Sequence, residues 1–290
     1  MIRIITDSTC DINPDLISEN EFDILPLKII INDHQYTDTI DIKINEIYQA
    51  MRNGIIPKTA QITYESVYST FKKYCDNGLD IIYIAFSKEM SGCYTFASLI
   101  AQNLKETYPE RKIEVIDSKC GSGALGLMVL QALKMVKAGL DFEVIVEQIH
   151  FMADHVELIF TLTNLNWIAK GGRLSRTAGY AGTLLNIKPI LEVEDGKIIT
   201  NRAVRGRNHS ISEVVSEIVK RSKAFPNQLI SITHADDEQM AYDLEKQIKT
   251  LIPECTTTIT CIGSVLGVHL GIGGVGVYCF NKKPEHYIFD

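Results

Sequence analysis

A chain of 290 residues, 46% hydrophobic and 22% charged, has the composition of an ordinary soluble globular protein and the length for two modest domains. Its net charge of -7 argues against a general nucleic-acid binder, and no apolar run approaches the length of a transmembrane segment. The seven cysteines are dispersed without a CxxC pair and the histidines without an HxxH or HExxH, which argues against a disulfide framework and a metal site and fits reduced thiols in a cytoplasmic protein.

Ile2 to Ile5 reads as a short strand rather than a secretion signal. Asn13-Pro14-Asp15 starts a helix with a cap and a proline at the first helical position. Ile24 to Ile31 is a second apolar strand. Asp41 or Asn45 caps a helix carrying Ile44, Ile47, Tyr48 and Met51, and Asn53-Gly54 ends it. Lys58 to Thr63 is a loop before a helix with Tyr64, Val67, Tyr68, Phe71 and Cys75 on one face. Ile81 to Phe86 is the continuous apolar run of a strand buried on both faces. The turn Ser87 to Gly92 leads from it into a helix that turns Tyr94, Ala97, Leu99, Ile100 and Leu104 to a core. Ile113 to Ile116 is another strand, followed by a glycine loop at 121–126 and two helical stretches, 127–137 and 142–154. This alternation predicts a parallel sheet with helices on both faces.

From Val156 onward helices are fewer and glycine and threonine commoner, which places a domain boundary near residue 155. The N-terminal domain is then 1–155 and the C-terminal domain 156–290, with a ligand cleft between them. Asn164 to Asn208 shows no helical period beyond its first turns. Ser210 and Glu213 form a capping box for a helix to Ala224. Leu229 to Thr233 is a strand, and Asp236 caps a helix that Pro253 terminates. Thr256 to Ile262 and Val275 to Phe280 are strands flanking a glycine-rich loop. The second half reads as an α/β sandwich with a mixed sheet.

Candidate chemistry is sparse. A helix leaving a buried strand aims unpaired N–H groups above the sheet edge, so the turn with Ser91 and Gly92 is either an anion site or a simple helix cap. His269 is either a satisfied core histidine or a donor to an anion, and Thr59 either stabilises its turn or offers a hydroxyl to the cleft. Two GxGxxG matches, 121–126 and 271–276, lack the context of a nucleotide site. A second helical stretch replaces the strand expected after the first, and the second runs into a strand. Residues 170–207 hold eight Lys and Arg against three acids, a local +5 in a chain of net -7. Such a reversal marks either a docking surface for an acidic partner or phosphate, or a solvated charged face. There is no GxSxG elbow and no assignable nucleophile–base pair.

The segments ITDSTCDI, SGCYTFASLIA, VIDSKCGSGALGL and, above all, the block from Asn164 to Ile198 resemble the DegV family, in the right order over essentially the whole chain. These are the fatty-acid-binding proteins that serve the bacterial fatty acid kinase. The resemblance implies two α/β domains and a long-chain fatty acid in a tunnel that reaches their interface. It implies no catalytic residue in this chain and no cofactor beyond the bound fatty acid. A separate ATP-dependent kinase subunit makes acyl phosphate, for phospholipid synthesis. By position, Thr59, Ser91 and His269 match the residues that hold the carboxylate, with Gly92 as supporting backbone. Arg173, Arg202 and Arg205 match positions of the kinase-facing surface. The family motifs TSQPS, SGT and HTGPG read here TAQIT, SGC and HLGIG, so the three side chains persist among more apolar neighbours. Two other readings compete. One is a phosphotransferase resembling dihydroxyacetone kinase that uses His269 covalently; the other is a ligand sensor whose basic surface binds a macromolecule.

Overall fold

The computed structural model describes residues 1–17, 22–174 and 186–289. Its first half runs through β1 (Ile2–Asp7), β2 (Phe22–Leu25), β3 (Lys28–Ile31), β4 (His34–Thr37), α1 (Ile44–Arg52), β5 (Lys58–Ala60), α2 (Tyr64–Asp76), β6 (Asp80–Ala85), α3 (Cys93–Thr107), β7 (Ile113–Asp117), α4 (Ser122–Lys137) and α5 (Phe142–His155). The second runs through β8 (Val156–Thr161), α6 (Asn166–Gly171), β9 (Ile187–Glu194), β10 (Lys197–Arg205), α7 (Arg207–Arg221), β11 (Leu229–His234), α8 (Glu238–Leu251), β12 (Thr256–Cys261), α9 (Ser264–Leu270) and β13 (Val275–Phe280).

Strands β2-β1-β6-β7 form a parallel sheet, and β10-β9-β8-β13-β11-β12 a mixed one. The fold is therefore mixed α/β, with a parallel sheet in the first half and a mixed sheet in the second. A third, antiparallel sheet β4-β3-β5 was not expected. It arises because the apolar run 24–31 is two strands. Pro26 lacks the N–H that a continuous ladder needs, so the chain leaves the parallel sheet after Leu25 and starts a new one at Lys28. The segment read as a loop at 58–63 supplies its third strand, β5.

Other boundaries also move. Asn13 caps only a single 3-10 turn, Pro14–Leu16, and Ile17 is already extended. The residue before α1 is Lys43, whose N–H is held by Glu46, while Asp41 accepts from the Thr37 N–H. Gly206, at φ +90, lets α7 begin three residues before Ser210, whose hydroxyl bonds the Arg207 carbonyl inside the first turn instead of capping it. The residue before α8 is Asp237, with Asp236 one position further out at φ +57. Leu99 and Tyr64 are exposed rather than buried, although the Tyr64 ring stacks on Tyr68 with centroids 5.5 Å apart.

Helix α4 ties the halves together. Most of its residues are buried, as a helix that is apolar all round requires. Its Leu125, Met128 and Val129 share a core with Ile4, Ile82 and Ile84 of the parallel sheet and with Leu158, Tyr278 and Phe280 of the mixed one. The predicted glycine loop 121–126 is this helix's first turn. A Cβ at Gly126 would fall 2.4 Å from the Asp11 carbonyl oxygen, so glycine is what lets helix and loop touch. The short helix α9 reaches the other way. Val265 and Val268 pack with Ile29, Ile47 and Met51, and the Tyr48 hydroxyl donates to the Ile262 carbonyl at 3.2 Å. Although its sequence lies in the second half, α9 is built into the first, and it carries His269.

Candidate functional site

The site begins where β6 ends. After Phe86 the chain turns so that the N–H groups of Met90 and Ser91 bond the Ser87 carbonyl, and α3 starts at Cys93. Ser91 is a weak cap at best. Its Oγ is 3.4 Å from the Cys93 amide nitrogen, and the residue preceding the helix is Gly92. Gly92 stands close to Gln61: a Cβ there would lie 2.2 Å from Gln61 Oε1, the far end of a side chain that would have to swing aside.

Thr59, on the short strand β5, faces His269 at the end of α9. Thr59 Oγ1 and His269 Nε2 are 2.8 Å apart. Burial, with the Arg173 guanidinium adding to it, pushes the His269 pKa down to about 4, so the ring is neutral at physiological pH. Its Nδ1 is buried without a hydrogen-bond partner among the described residues and abuts Gly171, where a Cβ would lie 2.3 Å away. With Nε2 bonded to Thr59 and Nδ1 enclosed, neither ring nitrogen stands free as a nucleophile.

Thr59, Gln61, Ser91, Arg173 and His269 supply the polar side chains of one cavity of about 160 Å³. The remaining walls include Leu27, Phe86, Met90, Ile168, Ile198, Leu266 and Leu270. Gln61, Gly92 and Arg173 are exposed, whereas Phe86, Met90 and Ile168 are buried, so the cavity runs from a polar mouth to an apolar interior. A second cavity of about 50 Å³ shares the walls Phe86, Met90, Ile198, Leu266 and Leu270, and extends the apolar space to Leu158, Phe160 and Tyr278.

Of the residues singled out from the sequence, Thr59, Ser91, Gly92 and His269 therefore meet in one place. Arg173 meets them there too, although the sequence grouped it with a docking surface. Its Nη1 donates to the Gly171 carbonyl at 2.6 Å, and its Nε faces the Met90 carbonyl at 3.5 Å. Gln61 was missed as a site residue; its signal was its place two residues after Thr59. Arg202 and Arg205 lie elsewhere, on β10. Arg202 is in ion pairs with Glu213, at 2.7 Å, and with Glu217. The Arg205 side chain is exposed. Lys197 and Arg207 of the basic stretch are likewise paired, with Glu89 at 3.3 Å and Asp237 at 2.7 Å, so much of that charge is met within the chain. Arg176 lies outside the described residues.

Both glycine motifs are explained by packing. The first belongs to α4. In the second, Gly271 at φ +76 turns the chain against Trp167, whose ring would lie 2.3 Å from an added Cβ.

The family model described as "Uncharacterised protein, DegV family" matches residues 1–282. A DegV domain-containing protein of Clostridium acetobutylicum is 34% identical over 283 residues, covering 97% of this chain and 99% of that protein. Among solved structures, a stearic acid-binding protein from Eubacterium ventriosum superposes with a TM-score of 0.89 at 26% identity, over 96% of this chain and 97% of that one. The Streptococcus pneumoniae fatty acid kinase B3 protein, loaded with linoleic acid, superposes with a TM-score of 0.86 at 25% identity, over 97% and 100%. With residues 1–282 matched by the family model and a full-length relative above 30% identity, this chain is a member of the DegV family.

Proposed function

We propose that this protein binds a long-chain fatty acid and presents its carboxylate to a separate ATP-dependent fatty acid kinase, which forms the acyl phosphate in the cytoplasm. The observation that carries this reading is the convergence of Thr59, Ser91 and His269 at the polar mouth of an otherwise apolar cavity. A carboxylate cannot be buried bare, and two hydroxyls, one of them oriented by the His269 imidazole, supply charge-assisted hydrogen bonds to it. Burying the tail of a sixteen-carbon acid releases on the order of 12 kcal/mol gross at about 0.8 kcal/mol per methylene, offset in part by immobilisation. The fatty acids held by the Eubacterium and Streptococcus proteins, and the kinase named for the latter, support the assignment.

In this reading the ligand lies in a cleft between a domain of residues 1–155 and one of 156–290; the larger cavity is lined from both stretches. Ser91 and Thr59 donate to the carboxylate, and His269 fixes the Thr59 hydroxyl. Gly92 keeps the backbone close, and the Arg173 guanidinium stands at the mouth, where a transferred phosphoryl group would arrive. Arg202 and Arg205 face the kinase from β10. The chain itself performs no chemistry. The test is incubation with ATP and fatty acid, with and without a fatty acid kinase catalytic subunit. Acyl phosphate is expected only when both proteins are present, and acyl phosphate made by this chain alone would overturn the proposal.

A further inference from the structure

The apolar space that begins at the polar mouth reaches Leu158, Phe160, Val193 and Tyr278 in the smaller cavity. Tyr278, on β13, is 2% exposed and walls the smaller cavity beside Ser122 and Leu158. The ring is fixed at its hydroxyl end. Its oxygen is 2.8 Å from Thr233 Oγ1 and 3.0 Å from Ser122 Oγ, and Ser122 in turn donates to Asp11 Oδ2 at 2.6 Å. It is also fixed along its edge. A Cβ at Gly123 would lie 2.6 Å from Tyr278 Cδ2, and one at Gly276 would lie 2.4 Å from the hydroxyl oxygen. Both neighbours are glycines because the ring fills the space that their side chains would take. Met90, which also walls the cavity, is an unbranched thioether that can change rotamer to suit a ligand. Tyr278 has no such freedom.

There is space beyond the ring. Ser231 is the cross-strand partner of Tyr278, so the two side chains stand on the same face of the mixed sheet. A slit of about 10 Å³ lined by Ser231, Gly123 and Leu229 lies there, between α4 and β11. The ring does not itself line that slit, but it stands beside two of the slit's walls, as the cross-strand partner of Ser231 and against the space a Gly123 side chain would take.

We propose that Tyr278 is the end-stop of the acyl tunnel and sets the longest fatty acid this protein accepts. The inference rests on the fatty-acid reading above and adds the residue that determines chain length. A methyl terminus reaching the ring meets a rigid wall, so affinity rises with each methylene up to that contact and falls beyond it. Removing the ring joins the cavity to the slit, and each methylene then admitted raises affinity for the longer acid by roughly fourfold.

Affinities for saturated acids of increasing length test this in the wild-type protein, Tyr278→Phe and Tyr278→Leu. Tyr278→Phe keeps the ring and is expected to keep the wild-type limit. Tyr278→Leu is expected to move the limit to longer acids. In parallel, a fatty acid carrying a photoreactive group at its methyl end is bound to the wild-type protein and the labelled peptide mapped. This arm does not depend on a variant folding, and label on Tyr278 or its neighbours on β13 is expected. An unmoved limit in folded Tyr278→Leu, or label confined to residues of the mouth, overturns the end-stop while leaving fatty-acid binding standing. A wild-type protein that binds no acid of any length overturns both.

Discussion

The Thr59 hydroxyl and the His269 ring, 210 residues apart in sequence, are joined by a 2.8 Å hydrogen bond across the mouth of the cavity. The bond connects β5 to α9, so it both orients a hydroxyl for a ligand and pins α9 to the three-stranded sheet. Thr59→Val and His269→Ala should each lower thermal stability and fatty-acid affinity, and the double variant should lose less than the sum. A coupling of about 1 kcal/mol in a double-mutant cycle on unfolding is expected. Strict additivity would mean that the two side chains do not act as a pair.

Asp11 makes stability depend on pH. Its Oδ1 accepts from the Gly263 N–H, just before α9, and its Oδ2 from Ser122. Burial, reinforced by the nearby Asp38, raises its pKa from 3.8 to about 7 despite those bonds. Between pH 3.8 and 7 the folded state therefore holds a proton that the unfolded state has lost, and stability falls as pH rises through that window. The slope from this group is roughly 1.4 kcal/mol per pH unit. Asp11→Asn cannot ionise, so its stability relative to wild type should improve by about 2–3 kcal/mol between pH 5 and pH 8. Urea unfolding of both proteins at the two pH values checks this. An equal difference at both would mean that Asp11 titrates as an ordinary carboxylate.

Gly92→Ala separates fold from function at the mouth. Among the described residues the new methyl would meet only the Gln61 amide, the far end of a flexible side chain that can swing away. The melting temperature should change by no more than a degree or two, the shift expected for well under 1 kcal/mol. Fatty-acid affinity should fall, because the displaced Gln61 amide moves within the mouth it lines. Calorimetry beside ligand titration reads both, and a large loss of stability would show that the backbone, not Gln61, has to give.

The two arginines on β10 call for different substitutions. Arg202→Glu would place a third carboxylate against Glu213 and Glu217 and damage the fold for reasons unrelated to docking. Arg202→Gln and Arg205→Glu avoid that. Both should leave fatty-acid affinity unchanged while lowering the rate of acyl phosphate formation with the kinase at least tenfold. Loss of fatty-acid binding in either would place that arginine's role in the fold or the pocket.

The alternation of apolar strands and periodic helices made the parallel sheet legible, because buried parallel strands and amphipathic helices write their periods directly into the chain. Of the mixed sheet only β11, β12 and β13 were legible as strands; β9 and β10 lie in the stretch 164–208, which shows only the lack of a helical period. The three-stranded sheet was not legible. Its strands are three or four residues long, and Pro26, which separates the first of them from the parallel sheet, sits inside a run that otherwise reads as one strand. The start of α4 and the whole of α9 were hidden by glycine. Gly123, Gly126 and Gly267 read as loop because glycine disfavours helix, yet each stands where a neighbour leaves little or no room for a Cβ. The place of Arg173 at the cavity was hidden for a related reason. A charged residue in a basic run looks like surface, and only the folded chain shows its guanidinium bonded back to Gly171 and lining the cavity.

The most direct test is mass spectrometry of the purified protein, first under native conditions and then on its organic extract. A protein that takes its ligand from the cell should show one long-chain fatty acid per chain, lost on denaturation and recovered in the extract. An empty protein that also takes up no added long-chain fatty acid would contradict the account.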